Sequence, residues 1–176
     1  KIYQGVLQGR KNIVGIVIKC LGRTGGTQRQ LQYIIRGLAN KYRIILINIT
    51  NENVTEYAGI KVYSLKSNTY FSRARELSKL SKNMQVNLMI SYGFEASFIA
   101  SVASILTRIK LVSSRRELSL WRERRHHLID YFINHKSSKI IVNSTAVKNV
   151  VEKELFSKDK IITIMNGIEL IDHVYE

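Results

Sequence analysis

The 176-residue sequence predicts a doubly wound α/β domain, one mostly parallel sheet of about seven strands with helices on both faces (Rossmann-like). Two observations predict it. Short, continuous apolar runs alternate with longer stretches whose apolar residues recur every three to four positions. The short runs lack an in–out alternation, as strands covered on both faces do, and the stretches between them suit right-handed helical crossovers. A chain of this length suits one domain and buries about 70% of the surface that its unfolded form exposes.

The elements follow in order. Asn12–Lys19 (NIVGIVIK) reads as the first strand. Thr27–Asn40 carries Leu31, Ile34, Ile35 and Leu38, a helical stripe. Arg43–Ile49 is the second strand and Ile60–Leu65 a shorter third. Asn68–Lys82 is a charged helix with Phe71, Ala74, Leu77 and Leu80 inward. Asn87–Tyr92 is the fourth strand. Phe94–Thr107 is mostly apolar and is expected to be a well-buried helix. Lys110–Ser114 makes the fifth strand and Leu118–Asn134 a helix. Lys139–Ser144 is the sixth strand, Thr145–Leu155 a helix, and Ile161–Met165 the seventh strand, closed by the turn pair Asn166-Gly167.

Composition narrows the class. Hydrophobic residues make up 45% and charged residues 23%, which excludes a disordered chain. Proline is absent, so no polyproline linker exists. The single cysteine, Cys20, allows neither an internal disulfide nor a cysteine-based zinc cluster, and a reducing cytoplasm is expected. No run of about 18 apolar residues is present. The start, Lys1-Ile-Tyr-Gln-Gly, has neither an initiator methionine nor an apolar signal core, so a piece of a longer protein is expected. Lys and Arg number 28 against 13 acids, a net charge of +15. Residues 1–51 hold nine basic side chains, and the first acid is Glu52. Such a field attracts nucleic acid, anionic lipid or phosphorylated substrates.

In open α/β sheets, ligands bind beyond the carboxyl ends of the strands. Gly22-Arg-Thr-Gly25-Gly26-Thr27 follows the first strand and opens the first helix. Adjacent glycines let backbone N–H groups approach a ligand, and a helix N-terminus favours an anion, so Gly25, Gly26 and Thr27 are candidate diphosphate contacts. The spacing fits neither G-x-G-x-x-G nor a P-loop, and the second strand ends Asn48-Ile49-Thr50 without a ribose-binding acid. Ser113-Ser114-Arg115-Arg116-Glu117 ends the fifth strand. Guanidinium forks bind phosphate bidentately, and arginines at a strand end face the crevice, so Arg115 and Arg116 are candidate phosphate-binding residues. From 115 to 127 there are five Arg and two Glu, so the following helix is basic. Trp121 reads as packing, and His126 and His127 as exposed. His135 and His173 stand isolated. No carboxylates lie at ligand spacing, so no metal site is expected. Tyr92-Gly93 and Asn143-Ser144 stand at two further strand ends, where a ligand contact and a plain turn or helix cap are both open. No Ser-His-Asp order or nucleophile elbow is present.

These strand ends together resemble the N-terminal domain of family 4 retaining glycosyltransferases of the GT-B fold. The resemblance rests on Thr24-Gly25-Gly26-Thr27-Gln28-Arg29, on Ser113-Ser114-Arg115-Arg116-Glu117-Leu118, on Lys139-Ile140-Ile141-Val142-Asn143-Ser144 leading into Ala146-Val147, and on Ile164-Met165-Asn166-Gly167-Ile168-Glu169, in that order over nearly the whole chain. It implies an acceptor-side domain over 1–167, with 168–176 starting a hinge at Asn166-Gly167 toward a second domain that grips a nucleotide-sugar. That family's paired-glutamate donor motif, E-x7-E, belongs to the second domain and does not occur here. The Gly25-Gly26-Thr27 loop would touch the donor diphosphate, and Arg115 or Arg116 would line the reaction centre. Tyr92, Gly93, Ser114, Glu117, Asn143 and Ser144 would face the acceptor. The resemblance further implies transfer with retention, no metal or other cofactor, a glycan or glycolipid acceptor, and a cytoplasmic protein with the inner face of an anionic membrane as a partner surface. The alternatives are a basic nucleic-acid-binding module or another nucleotide-binding α/β enzyme. Charge alone supports the first, no interleaved aromatic motif accompanies it, and nucleic acid is not expected as a partner.

Overall fold

The computed structural model describes residues 11–21, 25–118, 123–154 and 158–167. The chain order is β1 (Ile13–Ile18), α1 (Gly26–Ala39), β2 (Arg43–Asn48), β3 (Glu56–Tyr57), β4 (Ile60–Ser64), α2 (Tyr70–Asn83), β5 (Leu88–Tyr92), α3 (Phe94–Thr107), β6 (Lys110–Arg115), α4 (Arg124–Lys136), β7 (Lys139–Val142), α5 (Thr145–Lys153) and β8 (Ile161–Thr163). They form one eight-stranded sheet in the order β3-β4-β2-β1-β5-β6-β7-β8. Every pairing is parallel except β3 with β4.

Alternation along β1 builds two cores. Val14, Ile16 and Ile18 point to one face and pack with Leu31 and Ile35 of α1. Val17 points to the other and packs with Ala74 and Leu77 of α2 and with Ala96, Ile99, Ala100 and Ala103 of α3. A smaller cluster of Ile140, Val142, Val147 and Val151 seats α5. The doubly wound reading therefore holds, with three corrections, the first being that Phe71, expected inward on α2, is 67% exposed. The eighth strand is β3, which forms a hairpin with β4 through Ala58 (φ +50°) and Gly59 (φ +75°). Two successive left-handed residues give the turn whose twist suits a tight hairpin. Helix α4 starts at Arg124, because Glu123 caps it. The Glu123 carboxylate accepts from the His126 backbone, and the His126 ring accepts from the Glu123 N–H. Helix α3 is buried against the sheet and flanked by α2 and α4, as expected, except in its last turn, where Ile105 and Leu106 are exposed.

Candidate functional site

Winding reverses between β1 and β5: β1 passes through α1 to β2 on one side, while β5 and β6 extend the sheet on the other. At the carboxyl ends of these strands a cavity of about 420 Å³ opens. Such a switch point is where helices diverge and leave room for a ligand. Thr27 and Gln28 form one wall, Tyr92, Gly93 and Glu95 the floor and second wall, and Ser114 to Glu117 the third.

Among the described residues, the α1 wall begins with helix-terminal N–H groups that no side chain caps. Gly25 is the extended N-cap and supplies no side-chain cap, and the first turn carries no acid. The Arg29 N–H reaches the Gly25 carbonyl at 3.0 Å, so the N–H groups before it are helix-terminal donors aimed outward. Cys20 holds a left-handed φ of +61°, and its carbonyl accepts from Gln28 Nε2 at 2.8 Å. The intervening residues Gly22 to Thr24 lie outside the described residues.

Gly93 makes the corner between β5 and α3 with φ +84° and ψ 165°, a backbone region that is essentially glycine's own. Gly93→Val is expected to cost about 2–3 kcal/mol of unfolding free energy from backbone strain, measurable by urea denaturation. An unchanged midpoint would mean that the corner relaxes.

The two adjacent arginines diverge. Arg115 ends β6 at 8% exposure, and its guanidinium is turned into protein. It forks onto Glu154, with Nη2 to Oε1 at 3.1 Å and a shorter Nη1–Oε2 contact, and Nη2 lies 3.5 Å from Asp130. Asn134 Nδ2 donates to the same Glu154 carboxylate at 3.0 Å. Arg116 turns to the cavity rim. Its guanidinium lies 5.4 Å from the Tyr92 ring centre; Nε donates to Ser114 Oγ at 3.2 Å and Nη1 to Asn166 Oδ1 at 3.0 Å. Burial lowers the Arg116 guanidinium from its ordinary value, opposed by Tyr92. Burial raises the Tyr92 phenol, opposed by Arg116. The phenol therefore stays neutral and the arginine cationic at neutral pH.

The closing Asn166-Gly167 reaches the same rim. Gln30 of α1 clamps Gly167 with both ends of its amide: Oε1 accepts from the Gly167 N–H at 2.9 Å, and Nε2 donates to its carbonyl at 2.6 Å. Asn143 and Ser144 do not line the cavity. Ser144 caps α5 by accepting from the Val147 N–H at 3.2 Å. Trp121, Arg122 and 168–176 lie outside the described residues.

One pair in the cavity wall escaped the sequence reading. Lys19, just past β1, meets Glu95 in the first turn of α3 at 2.6 Å. The hydrogen bond to Glu95 raises the Lys19 ammonium above its ordinary value. An acid two residues after the Gly93 corner was the available signal; its partner, 76 residues earlier, was not legible locally.

His127, Asp130 and Glu154 bring one ligand atom each within 4.8 Å of one another, the geometry of a cation site. The Arg115 guanidinium already contacts both carboxylates. A metal there would have to meet that fixed positive charge, so the cluster suits an arginine better than an ion.

No protein-family model and no curated protein matches this sequence. Solved structures do. The chain is similar to Anabaena Alr3699/HepE, determined in complex with UDP and glucose, at 16% identity and a TM-score of 0.75, covering 90% of this chain and 45% of that one. The apo lipopolysaccharide outer core galactosyltransferase WaaB aligns at 12% identity and a TM-score of 0.74, covering 91% of this chain and 47% of that one. UDP-GlcNAc 2-epimerase from Neisseria meningitidis, bound to UDP-GlcNAc, aligns at 15% identity and a TM-score of 0.66, covering 86% and 45%. The chain thus spans less than half the length of these proteins, and what it shares with them is the Rossmann-like α/β fold.

Proposed function

We propose that the chain is the N-terminal, acceptor-side half of a GT-B glycosyltransferase of the family 4 kind. It would transfer a sugar from a nucleotide-sugar to a glycan or glycolipid acceptor, with retention and without a metal. The donor-gripping half would follow 168–176, with Asn166-Gly167 as the pivot, and the protein would work in the cytoplasm at a membrane surface. The observation that carries this reading is one shared rim: the uncapped N-terminus of α1 and the Arg116 guanidinium flank the same cavity at the switch point. The fold shared with Alr3699/HepE, determined with UDP and glucose, supports it.

The chemistry follows from charge. Transfer breaks the bond between the sugar's anomeric carbon and a phosphate oxygen, forms one to an acceptor hydroxyl oxygen, releases that hydroxyl's proton to the departing phosphate oxygen or to solvent, and builds negative charge on the diphosphate as it departs. The N–H groups of Gly26 and Thr27 and the Arg116 guanidinium supply fixed positive poles for that charge. Arg115 acts as a positioning residue, because its charge is absorbed by Glu154 and Asp130 while it fixes the β6 end that carries Arg116. Tyr92, Gly93, Ser114 and Glu117 line the acceptor side, joined by Lys19 and Glu95.

The chain alone transfers no sugar on this reading, so the direct test is binding. Titration with UDP, followed by amide NMR, is expected to move Gly26, Thr27, Gly93 and Arg116. Shifts confined to the opposite edge, around Lys11 and Arg43, would overturn the reading, as would epimerisation of a UDP-sugar by a chain carrying both halves. A substitution separates site from scaffold. A Cβ at Gly26 would meet nothing within 4 Å. Gly26→Ala is therefore expected to leave stability unchanged or raise it by up to about 1 kcal/mol, while the UDP-induced shifts weaken because the added methyl keeps the diphosphate off the backbone. Undiminished shifts would remove the loop from the site.

A further inference from the structure

We propose that Gln30 is a positioning residue for the diphosphate site: it anchors Asn166-Gly167, and Asn166 in turn holds the Arg116 guanidinium at the cavity rim. The inference deepens the transferase reading and rests on it. Gln30 stands one turn after Gly26 on α1, half-buried beside Leu31 and Ile35, which seat the helix. A primary amide carries an acceptor and a donor in one plane, as a peptide unit does. Gln30 turns both to a single residue: Oε1 accepts from the Gly167 N–H at 2.9 Å, and Nε2 donates to the Gly167 carbonyl at 2.6 Å. The reversed amide would set donor against donor and acceptor against acceptor, so the pairing fixes the side chain in one sense. Helix α1 thus binds the closing segment as a neighbouring strand would.

The closing segment leaves the sheet at Ile164, whose N–H bonds the Val142 carbonyl of β7 at 2.9 Å. Met165, Asn166 and Gly167 beyond it are exposed. Among the described residues, two side chains hold them: Gln30 at Gly167, and Arg116 at Asn166 Oδ1, 3.0 Å away. The segment therefore joins the α1 wall to the wall that ends β6. Arg116 uses Nε–H on Ser114 and one Nη1–H on Asn166, which leaves three of its five N–H groups for an anion among the described residues. A long cationic side chain loses rotamer freedom when it meets a ligand, and anchors that hold it beforehand remove that cost. Ser114 fixes the root of the guanidinium and Asn166 its far end. Asn166 lies two residues past the last sheet bond, so its place depends on the bonds at Gly167.

This chain of bonds links the two positive poles of the site. The N–H groups of Gly26 and Thr27 belong to the same helix as Gln30, and Gln30 reaches Arg116 through Gly167 and Asn166. Gln30 itself does not line the cavity, so it acts through Arg116 and not on the ligand. A diphosphate that bridges both poles stiffens the links between them. Links already in place strengthen its binding, and the two effects are equal by reciprocity.

The test is titration of the 176-residue chain with UDP, followed by amide NMR and by the Arg116 Nε–H signal, in wild type, Gln30→Ala, Arg116→Ala and the double variant. Gln30→Ala is expected to weaken UDP about three- to fivefold, the scale of one exposed hydrogen bond, and to shift or broaden the Arg116 Nε–H before any UDP is added. In the Arg116→Ala background the same change should weaken UDP by less than about 1.5-fold, because the residue it positions is gone. Alanine is the better helix former, so circular dichroism melting should show the fold intact. Gly167→Ala is the control: a Cβ there would lie 3.9 Å from Gln30 Oε1, an ordinary contact, and the backbone bonds remain, so affinity should match wild type. In the wild type, the Gly167 N–H should exchange with solvent about threefold more slowly once UDP is bound. Wild-type affinity with an unmoved Nε–H in Gln30→Ala overturns the proposal. So does an equal loss from Gln30→Ala with and without Arg116, which would place its effect at the α1 end. If UDP moves Gly26 and Arg116 while Gln30→Ala changes nothing, the transferase reading stands without this link. If UDP moves neither, that reading falls, and the Nε–H response in the free chain decides whether Gln30 positions Arg116.

Discussion

Arg115→Ala is expected to lower the unfolding free energy by about 3–5 kcal/mol, the cost of leaving buried carboxylates uncompensated. The Asp130 side chain is 5% exposed and that of Glu154 13%, so neither can recover full hydration when the guanidinium is lost. For a chain of this size the melting point should fall by about 10 °C. Arg115→Lys should not restore it, because a point ammonium cannot fork onto Glu154 while also facing Asp130. The triple change Arg115→Met, Asp130→Leu and Glu154→Met is expected to recover more than half of the loss, since replacing every member of a buried charge cluster by apolar groups is often neutral. Thermal and urea melts of the three variants check this. A melting point within a degree or two of wild type for Arg115→Ala would show that the cluster solvates freely.

Arg116→Ala is expected to act in the opposite register. Its guanidinium makes one contact with a ring and two with side chains, so stability should fall by only about 1 kcal/mol. In a chain carrying both halves, turnover of the nucleotide-sugar should fall about 100-fold, the usual loss when one fixed donor to a developing anion is removed. The fall should be mainly in kcat, because the charge it meets grows as the diphosphate departs. Arg116→Lys should recover little, since only a fork spans Ser114 and Asn166 together. Unchanged kinetics would take Arg116 out of the reaction centre. Adjacent residues would thus separate, one change unfolding the protein and the other silencing it.

Much of this was legible in the residues themselves. The strands declared themselves as continuous apolar runs, and their alternation with helical stripes dictated a parallel sheet whose carboxyl edge collects the ligand-facing residues. Local signals failed where the deciding partner was distant or the segment short. Glu56-Tyr57 is too brief to show a period, so β3 emerged only through its hairpin. The destination of Arg115 depends on Glu154, 39 residues further on, and nothing at the Arg115-Arg116 pair says which guanidinium turns inward. Ser144 read equally as ligand contact or cap, and it caps α5. The last turn of the Phe94–Thr107 helix read as buried with the rest because Ile105 and Leu106 are apolar; sequence hydropathy records affinity for a nonpolar medium without saying whether protein supplies it.

The sheet's two borders differ in a way that bears on handling the protein. At one margin the two-residue β3 is too short to template addition of another chain, the usual natural guard against polymerisation. At the other, among the described residues, β8 is three residues long, and Ile162 within it and Ile164 and Met165 just after it stand exposed. Concentrated solutions should therefore aggregate from the β8 margin, and a lysine at Ile162 is the economical remedy.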